Sequence, residues 1–381
     1  EIFRLGRWKP VVSLAARWGV LPQLGRRLSS RGIAIPAGAQ EELRTLSTTA
    51  FVRSALLARK SVEVMSLFQS LEIPAVAFKG LAAMALLYGG PQHRIISDVD
   101  ILTPEEQVAP ALSALRSLGF RPIVAGELAE YATFVRRSPG FGGNEAITLC
   151  DDWGCAIDLH WSLGAGLGPP ELLSRSQVAG LLGGCVRVVS PEDSLLLCAH
   201  HTLRNNFSPE KSFRDLLDLE AWCDLLARRG KLEDALQRAV ACGLAIPLLA
   251  LARLLTRLSS NVTTAEAVSH LEPPMSPDER EAAARLVPLF LLQVRQGAFN
   301  PDLVYFLRGR DLRRILVGLI SGRRHGPLMR QMEAALEGAP RPLPRRFQAL
   351  VRSLVAVRLS HLRMLRTLAA AKNRCEQQSG R

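Results

Sequence analysis

Three aspartates are the residues of this chain whose type and spacing could support chemistry on phosphate groups. Asp98 and Asp100 stand two residues apart at the start of an apolar segment, and Asp158 lies within the apolar segment 155–161. Residues i and i+2 of a β-strand point to the same face, so Asp98 and Asp100 would lie side by side. Adjacent carboxylates repel each other unless a cation neutralises them, and their oxygens suit Mg²⁺ or Mn²⁺. If the two segments are neighbouring strands, three carboxylates converge as in two-metal phosphoryl or nucleotidyl transfer.

Four further residues could complete a phosphate site. Lys79 and Gly80 stand where one apolar segment ends and an Ala/Leu-rich segment begins. Gly80 would permit close approach of the backbone, a helix N-terminus would offer N–H groups, and Lys79 would add positive charge. Arg94 could bind phosphate oxygens with its guanidinium, and Ser97 could donate a hydrogen bond. The candidate side chains also have ordinary alternatives. These are a surface turn for Asp98 and Asp100, a solvent-facing strand position for Asp158, a solvated strand end for Lys79, a plain surface position for Arg94 and a turn cap for Ser97.

Several common catalytic motifs are absent from the sequence. The chain has no Gly-x-Gly-x-x-Gly, no Gly-x-x-x-x-Gly-Lys, no Gly-x-Ser-x-Gly and no His-Glu-x-x-His. His200 and His201 are adjacent and would point about 100° apart on a helix, so they cannot hold one metal as an i, i+4 pair would. A Rossmann or P-loop mode of nucleotide binding is therefore not predicted.

The elements that must position the candidate residues alternate between helix and strand. Apolar residues at helical spacing predict a helix over 41–71, and a second helix follows Gly80 and ends near 89–91. Thr103 as N-cap, with Pro104 and Glu105, predicts a further helix to about Leu118. The predicted strands are 75–78, 99–102, 120–124, 131–135, 146–150 and 155–161, with a hairpin turn at 151–154.

The second half of the sequence is typical of helices. Ser190 repeats the helix-opening pattern, Pro273, Pro274 and Pro277 interrupt the helical region, and 338–344 is a proline-rich linker. A basic amphipathic helix is predicted over 345–372. The predicted domains are a basic helical segment at 1–40, an α/β core at 41–190, a helical domain at 191–337, and the linker with the last helix at 338–381.

Composition is typical of a globular protein and excludes some classes. Of 381 residues, 48% are apolar and 22% are charged. The longest uncharged run, 239–252, is shorter than the roughly 20 residues of a membrane-spanning helix, so no integral membrane association is expected. Seven cysteines without a Cys-x-x-Cys pair indicate reduced thiols and a cytoplasmic protein.

The net charge of +13 is unevenly distributed along the chain. Residues 1–60 carry +8, residues 301–381 carry +12, and the middle of the chain is acidic. Basic ends could attract RNA or another polyanion, and solvated helix faces are the alternative interpretation. Only 6% of the residues are aromatic. Since RNA bases commonly stack on aromatic side chains, this slightly favours a small molecule over RNA as the partner.

Taken together, three motifs resemble a bacterial family of uncharacterised nucleotidyltransferases. The first is Phe78-Lys79-Gly80, the second is Arg94-Ile95-Ile96-Ser97-Asp98-Val99-Asp100, and the third is Ile157-Asp158-Leu159-His160-Trp161. This family is similar to the polymerase-β-like nucleotidyltransferase superfamily. The resemblance covers about residues 50–230 and implies an α+β fold: a small mixed-sheet core flanked by helices and followed by a mostly α-helical C-terminal half.

The resemblance also implies an activity and residue roles. Asp98 and Asp100 would hold two Mg²⁺ or Mn²⁺ ions, Asp158 would complete one site and help activate the acceptor, and Gly80 would lie against the triphosphate. The protein would move a nucleoside monophosphate from a nucleoside triphosphate to an acceptor hydroxyl or phosphate. The acceptor would be a small molecule or modified peptide, with RNA such as tRNA next.

One position departs from the superfamily pattern. Leu81 follows Gly80 where a Ser or Gly is usual, which removes a hydroxyl contact to the nucleotide. Two alternatives therefore stay open, a non-catalytic nucleotide-binding protein and a transferase with another phosphate-linked donor. His160 and Trp161 receive no catalytic role, and a buried, hydrogen-bonded histidine beside a core tryptophan is expected. The sequence does not predict an oligomeric state.

Overall fold

A computed structural model describes residues 8–123, 146–163, 167–204, 209–259 and 261–277, together with most of 279–287. All of these belong to one compact unit, residues 1–297. The predicted strand 131–135, the linker 338–344 and the helix 345–372 lie outside the described residues. The division into four domains stays a prediction.

The described fold combines helices with one seven-stranded mixed sheet, which confirms the predicted α+β class. The strands are β1 (Val76–Phe78), β2 (Val99–Leu102), β3 (Arg121–Pro122), β4 (Ala146–Cys150), β5 (Ala156–His160), β6 (Gln177–Leu181) and β7 (Gly184–Val188). The longer helices before β7 are α1 (Trp8–Arg17), α2 (Leu21–Ser30), α3 (Ala37–Ser70) and α5 (Val108–Ser117). Two short helices are α4 (Gly80–Ala83), continued by a π-helical turn (Met84–Tyr88), and α6 (Pro169–Ser174).

After the sheet, the described chain is helical, as the sequence predicts. The helices are α7 (Pro191–Arg204), α8 (Pro209–Arg228), α9 (Leu232–Ala241), α10 (Ala245–Leu258) and α11 (Val262–Leu271). Ser190 accepts a hydrogen bond from the backbone N–H of Asp193, which is the predicted N-cap of α7. None of the described helices is both long enough and apolar enough to cross a membrane.

The sheet has the order β3-β4-β5-β2-β1-β7-β6. β1 runs antiparallel to β2 and parallel to β7, and β2 runs parallel to β5. Every residue of β1 and β2 is buried, because these central strands are covered on both faces. α3 packs against β7 and α5, through the buried face that contains Leu57, Val64 and Phe68.

Some predicted elements differ from the structure. Thr103 does not cap the following helix, because its hydroxyl donates to the carbonyl of Pro74 at 2.8 Å; a 3₁₀ turn (Glu105–Gln107) begins after Pro104 instead. The strand predicted over 120–124 is only the two-residue β3 among the described residues. The hairpin of β6 and β7 was not predicted; Gly180 lies within β6 opposite Cys185, and the two strands are joined across Leu182 and Gly183.

Candidate active site

The pairing of β2 with β5 brings two of the three predicted acidic residues together. Asp100 lies opposite Asp158 in the parallel pairing of β2 with β5, and opposite Phe78 in the antiparallel pairing with β1. Asp98 comes just before β2, two residues from Asp100. We call Asp98, Asp100 and Asp158 the carboxylate cluster. The prediction that the two segments are neighbouring strands is therefore confirmed.

Asp100 is the buried centre of the carboxylate cluster, with 5% of its surface exposed. One of its oxygens, Oδ1, accepts a hydrogen bond from Lys79 Nζ at 2.5 Å and lies 3.0 Å from His160 Nε2. Burial opposes ionisation of Asp100, but Lys79 and His160 outweigh it and hold the pKa of this carboxyl well below its usual range. Asp100 is therefore a carboxylate throughout the neutral pH range.

Asp98 has the opposite electrostatic character. Its side chain is exposed and accepts a hydrogen bond from the Ser97 hydroxyl at 3.1 Å. Partial desolvation raises the pKa of Asp98, and the charges of Asp100 and Asp158 raise it further, while Lys79 lowers it. The ionised form of Asp98 is thus held at an energetic cost that a bound cation would remove.

Asp158 and His160 point to the same face of β5 because they are two residues apart. The Oδ1 atom of Asp158 and the Nδ1 atom of His160 are both buried without a hydrogen-bond partner among the described residues. Asp100, Asp158 and His160 each offer a ligand atom, and these atoms lie within 4.8 Å of one another. Since a buried carboxylate oxygen without a partner is costly, this donor set fits a divalent cation.

Lys79 and Gly80 form the sharp turn between β1 and α4. The Lys79 backbone adopts φ +52° and ψ −123°, a conformation that residues other than glycine rarely adopt. Its ammonium lies 5.2 Å from the ring centre of Phe78. A Cβ atom at Gly80 would lie only 2.8 Å from Cγ2 of the buried Ile96. The Ile96 backbone is itself held by Ser54, which both donates to its carbonyl and accepts from its N–H. Backbone strain such as that of Lys79 costs about 1–3 kcal/mol per residue and is often found at functional sites.

Replacing Gly80 with Ala should therefore destabilise the protein by about 1–3 kcal/mol, because Ile96 cannot move freely away from a new methyl group. Urea denaturation measures this change. The matched control is Gly38→Ala in α3, where a Cβ atom would meet nothing within 4 Å and stability should be unchanged or slightly higher. Equal midpoints for the two variants would contradict the close contact at Gly80.

Arg94 pairs with a residue outside the carboxylate cluster. Its buried guanidinium pairs with Asp218 of α8, with Nη2–Oδ2 at 2.6 Å and Nε–Oδ1 at 2.9 Å. Burial favours the neutral form of Arg94, but Asp218 outweighs it and keeps the pKa above its usual range. The pair fixes the loop before Asp98 to α8, while contact of Arg94 with phosphate stays a prediction.

Sequence reasoning missed two residues that shape the site. His160 was expected to be buried and hydrogen-bonded, and it is, but it bonds to Asp100 and stacks edge-on against Phe78 with ring centres 5.0 Å apart. Its i, i+2 spacing from Asp158 was the signal that it shares that face. The partnership of Asp218 with Arg94 spans 124 residues, and no local pattern in the sequence indicates it.

A mixed sheet that presents carboxylates on two adjacent strands, beside a strand–Lys-Gly–helix turn, defines a nucleotidyltransferase-like core. Residues 6–259 match the family described as uncharacterised nucleotidyltransferase, and the chain belongs to this family. The resemblance identified from the sequence is therefore confirmed. No curated protein is similar enough in sequence to be matched.

Three solved structures are similar to parts of the chain. An antigenic nucleotidyltransferase-like protein from Paracoccidioides brasiliensis is 19% identical, with 50% of this chain and 91% of that chain covered and a TM-score of 0.29. The antibiotic-resistance factor ANT(2'')-Ia is 15% identical, covering 48% of this chain and 88% of that chain, with a TM-score of 0.33. The lincosamide antibiotic adenylyltransferase LnuA, bound to lincomycin, is 14% identical, covering 42% and 92%, with a TM-score of 0.28.

Proposed function

We propose that this protein is a metal-dependent nucleotidyltransferase. It would move a nucleoside monophosphate from a nucleoside triphosphate to an acceptor hydroxyl or phosphate. The observation that carries the proposal is the pairing of Asp100 with Asp158 beside the turn at Lys79 and Gly80, with Asp98 two residues before Asp100. Family membership supports the same class of reaction.

In the proposed reaction the acceptor oxygen forms a bond to the α-phosphorus, and the bond from that phosphorus to the bridging oxygen breaks. Pyrophosphate leaves with the electron pair, and the acceptor proton passes to Asp158 or to water. When bound to Asp98, Asp100 and Asp158, two Mg²⁺ or Mn²⁺ ions would neutralise the phosphate charge. The protein's own contribution is the positioning of donor and acceptor.

The residues of the turn have separate proposed roles. Gly80 lets the turn pack closely on Ile96, which fills the space of its missing side chain, and the triphosphate would lie against the backbone at the start of α4. Lys79 neutralises Asp100 in the absence of substrate and supplies positive charge to a phosphate when substrate is bound. Ser97 orients Asp98 through their hydrogen bond. His160 orients Asp100 and lies close enough to Asp158 to share a cation with it.

The acceptor is proposed to be a small molecule or a modified peptide. RNA held by the basic ends is the second candidate, and its binding would weaken steeply with salt. Leu81 stands after Gly80 where a Ser or Gly is usual, so two further alternatives are kept. They are nucleotide binding without turnover and transfer from another phosphate-linked donor. A cytoplasmic location is proposed from the cysteine content.

The test is transfer of label from each of the four α-³²P-labelled nucleoside triphosphates, with Mg²⁺ or Mn²⁺. A host lysate separated into RNA, protein and small-molecule fractions supplies the acceptors, and Asp98→Asn is the blank. We expect label in the small-molecule or protein fraction with the unmodified protein, and background label with the variant. Label that appears in RNA and falls with added salt would identify the RNA alternative.

The absence of label in every fraction would contradict the proposal when the protein is folded and binds Mn²⁺. Equal label with Asp98→Asn would contradict the role of the carboxylate cluster. Binding of a nucleoside triphosphate without release of pyrophosphate would identify the non-catalytic alternative.

A further inference from the structure

Arg214 of α8 is held against the N-terminal helices. Its side chain crosses Gly19, between α1 and α2, so closely that a Cβ atom on Gly19 would lie 2.7 Å from Arg214 Cδ. Gly19 has φ +67°, a backbone conformation that favours glycine, and the Arg214 side chain lies over it. The preceding residue, Phe213, stacks on Trp18 with ring centres 4.6 Å apart. The Arg214 side chain thus packs over Gly19, and the stacking of Phe213 on Trp18 holds this part of α8 against the N-terminal helices.

The guanidinium of Arg214 has no hydrogen bond or ion pair with any other residue of the described part of the chain. Other arginines with partly or fully buried side chains do have carboxylate partners: Arg94 pairs with Asp218, Arg175 with Asp193 and Arg253 with Glu272. Burial lowers the pKa of Arg214 and the nearby charge of Arg94 lowers it further, while Asp215, Asp98 and Asp218 act in the opposite direction. A partly desolvated guanidinium without a partner is a site for an anion.

Arg214 stands one helical turn before Asp218 on α8, and two contacts join this part of α8 to the segment before Asp98. The buried pair of Arg94 and Asp218 joins α8 to the loop that ends at Asp98. In the same region Ile95 and Phe213 pack against one apolar cluster that includes Val20. Of the carboxylate cluster, Asp98 is the member whose negative charge raises the pKa of Arg214.

We infer that Arg214 binds the terminal phosphates of the nucleotide donor, the part that leaves as pyrophosphate. This inference rests on the proposed function. In-line transfer places the attacking and leaving oxygens on opposite sides of the α-phosphorus. Asp158 is the proposed partner of the attacking acceptor, and Arg214 is linked to the segment before Asp98 through Asp218 and Arg94. A guanidinium fork matches two phosphate oxygens, and its cationic charge offsets the charge that develops on pyrophosphate.

The test compares Arg214→Gln and Arg214→Lys with Arg228→Gln, an exposed arginine at the end of the same helix. Isothermal titration calorimetry with Mg²⁺ measures the affinity for inorganic pyrophosphate and for inorganic phosphate. Loss of a charge-assisted pair predicts about ten- to a hundredfold weaker pyrophosphate binding in Arg214→Gln. Arg214→Lys should lose less because it keeps the charge, and Arg228→Gln should bind like the unmodified protein. The KM for the triphosphate should rise in parallel in the variants of Arg214.

The outcomes separate this inference from the proposed function. An unmodified protein that transfers nucleotide, with unchanged pyrophosphate affinity and KM in Arg214→Gln, would overturn the inference alone. A protein that transfers nothing but binds pyrophosphate through Arg214 would overturn the proposed function alone. A merely structural role of Arg214 would weaken pyrophosphate binding equally in Arg214→Gln and Arg214→Lys and would lower the melting temperature of both variants. This result would overturn the inference.

Discussion

Replacing Asp98 with Asn should lower the rate of nucleotidyl transfer by about a hundredfold to a thousandfold. It should also raise the melting temperature of the metal-free protein. The loss of activity has the size expected when one electrostatic element of a reaction centre is removed. The gain in stability follows from the raised pKa of Asp98, because the folded protein disfavours the ionised form that prevails at neutral pH. Activity and stability should thus change in opposite directions, as at many functional sites.

Radiolabel transfer and calorimetry in the presence of a chelator measure the two effects of Asp98→Asn. The matched control is Asp152→Asn, since the Asp152 side chain is 81% exposed and its Oδ1 atom lies 3.6 Å from Nη1 of Arg121. We expect neither quantity to change in the control. Added Mn²⁺ should stabilise the unmodified protein more than Asp98→Asn. Full transfer activity in Asp98→Asn would contradict the metal role, and a lower melting temperature would contradict the electrostatic argument.

Replacing Asp218 with Ala should destabilise the protein by about 3–5 kcal/mol, because it leaves the guanidinium of Arg94 buried without its carboxylate. The two side chains are only 4% and 3% exposed, so water cannot replace the lost partner. Urea denaturation measures the effect, and transfer should fall as well, since the pair fixes the loop that carries Asp98.

Two variants test whether the effect belongs to a buried pair. Glu41→Gln removes one member of the exposed pair with Arg44 and should leave the unfolding midpoint unchanged. The double variant Arg94→Met/Asp218→Leu should be less destabilising than Asp218→Ala, because neither charge is then left alone. A midpoint of Asp218→Ala close to that of Glu41→Gln would show that the buried pair contributes little.

The sequence predicted the central part of the fold well where local patterns decide it. The apolar run around Asp100 marks β2 with its observed bounds, and Gly154 in a polar turn marks the hairpin of β4 and β5. Asp158 could be singled out as a candidate because an aspartate within an apolar strand is unusual, but the sequence left open whether its strand lies beside β2. These features depend on residues a few positions apart.

Features that depend on distant partners could not be predicted in the same way. The Thr103 hydroxyl has a nearby helix to cap, but it bonds to Pro74 because tertiary packing brings that carbonyl within reach. Arg94 looks like a phosphate ligand in the sequence and is paired with Asp218 of a later helix. The hairpin of β6 and β7 has weak local signals, because Gly180 is a residue that strands disfavour and Leu182 takes a turn position with φ +51° that Gly or Asn usually fills.

The parallel pairing of β2 with β5 also has a consequence for folding kinetics. Asp100 and Asp158 are about 60 residues apart in the chain, and β1 meets its parallel partner β7 only about 110 residues later. Each pairing requires closure of a long loop before any contact offsets the lost chain entropy, so such contacts form slowly. During synthesis, the three carboxylates are therefore brought together only after β5 has emerged, and β1 stays an open sheet edge until β7 arrives.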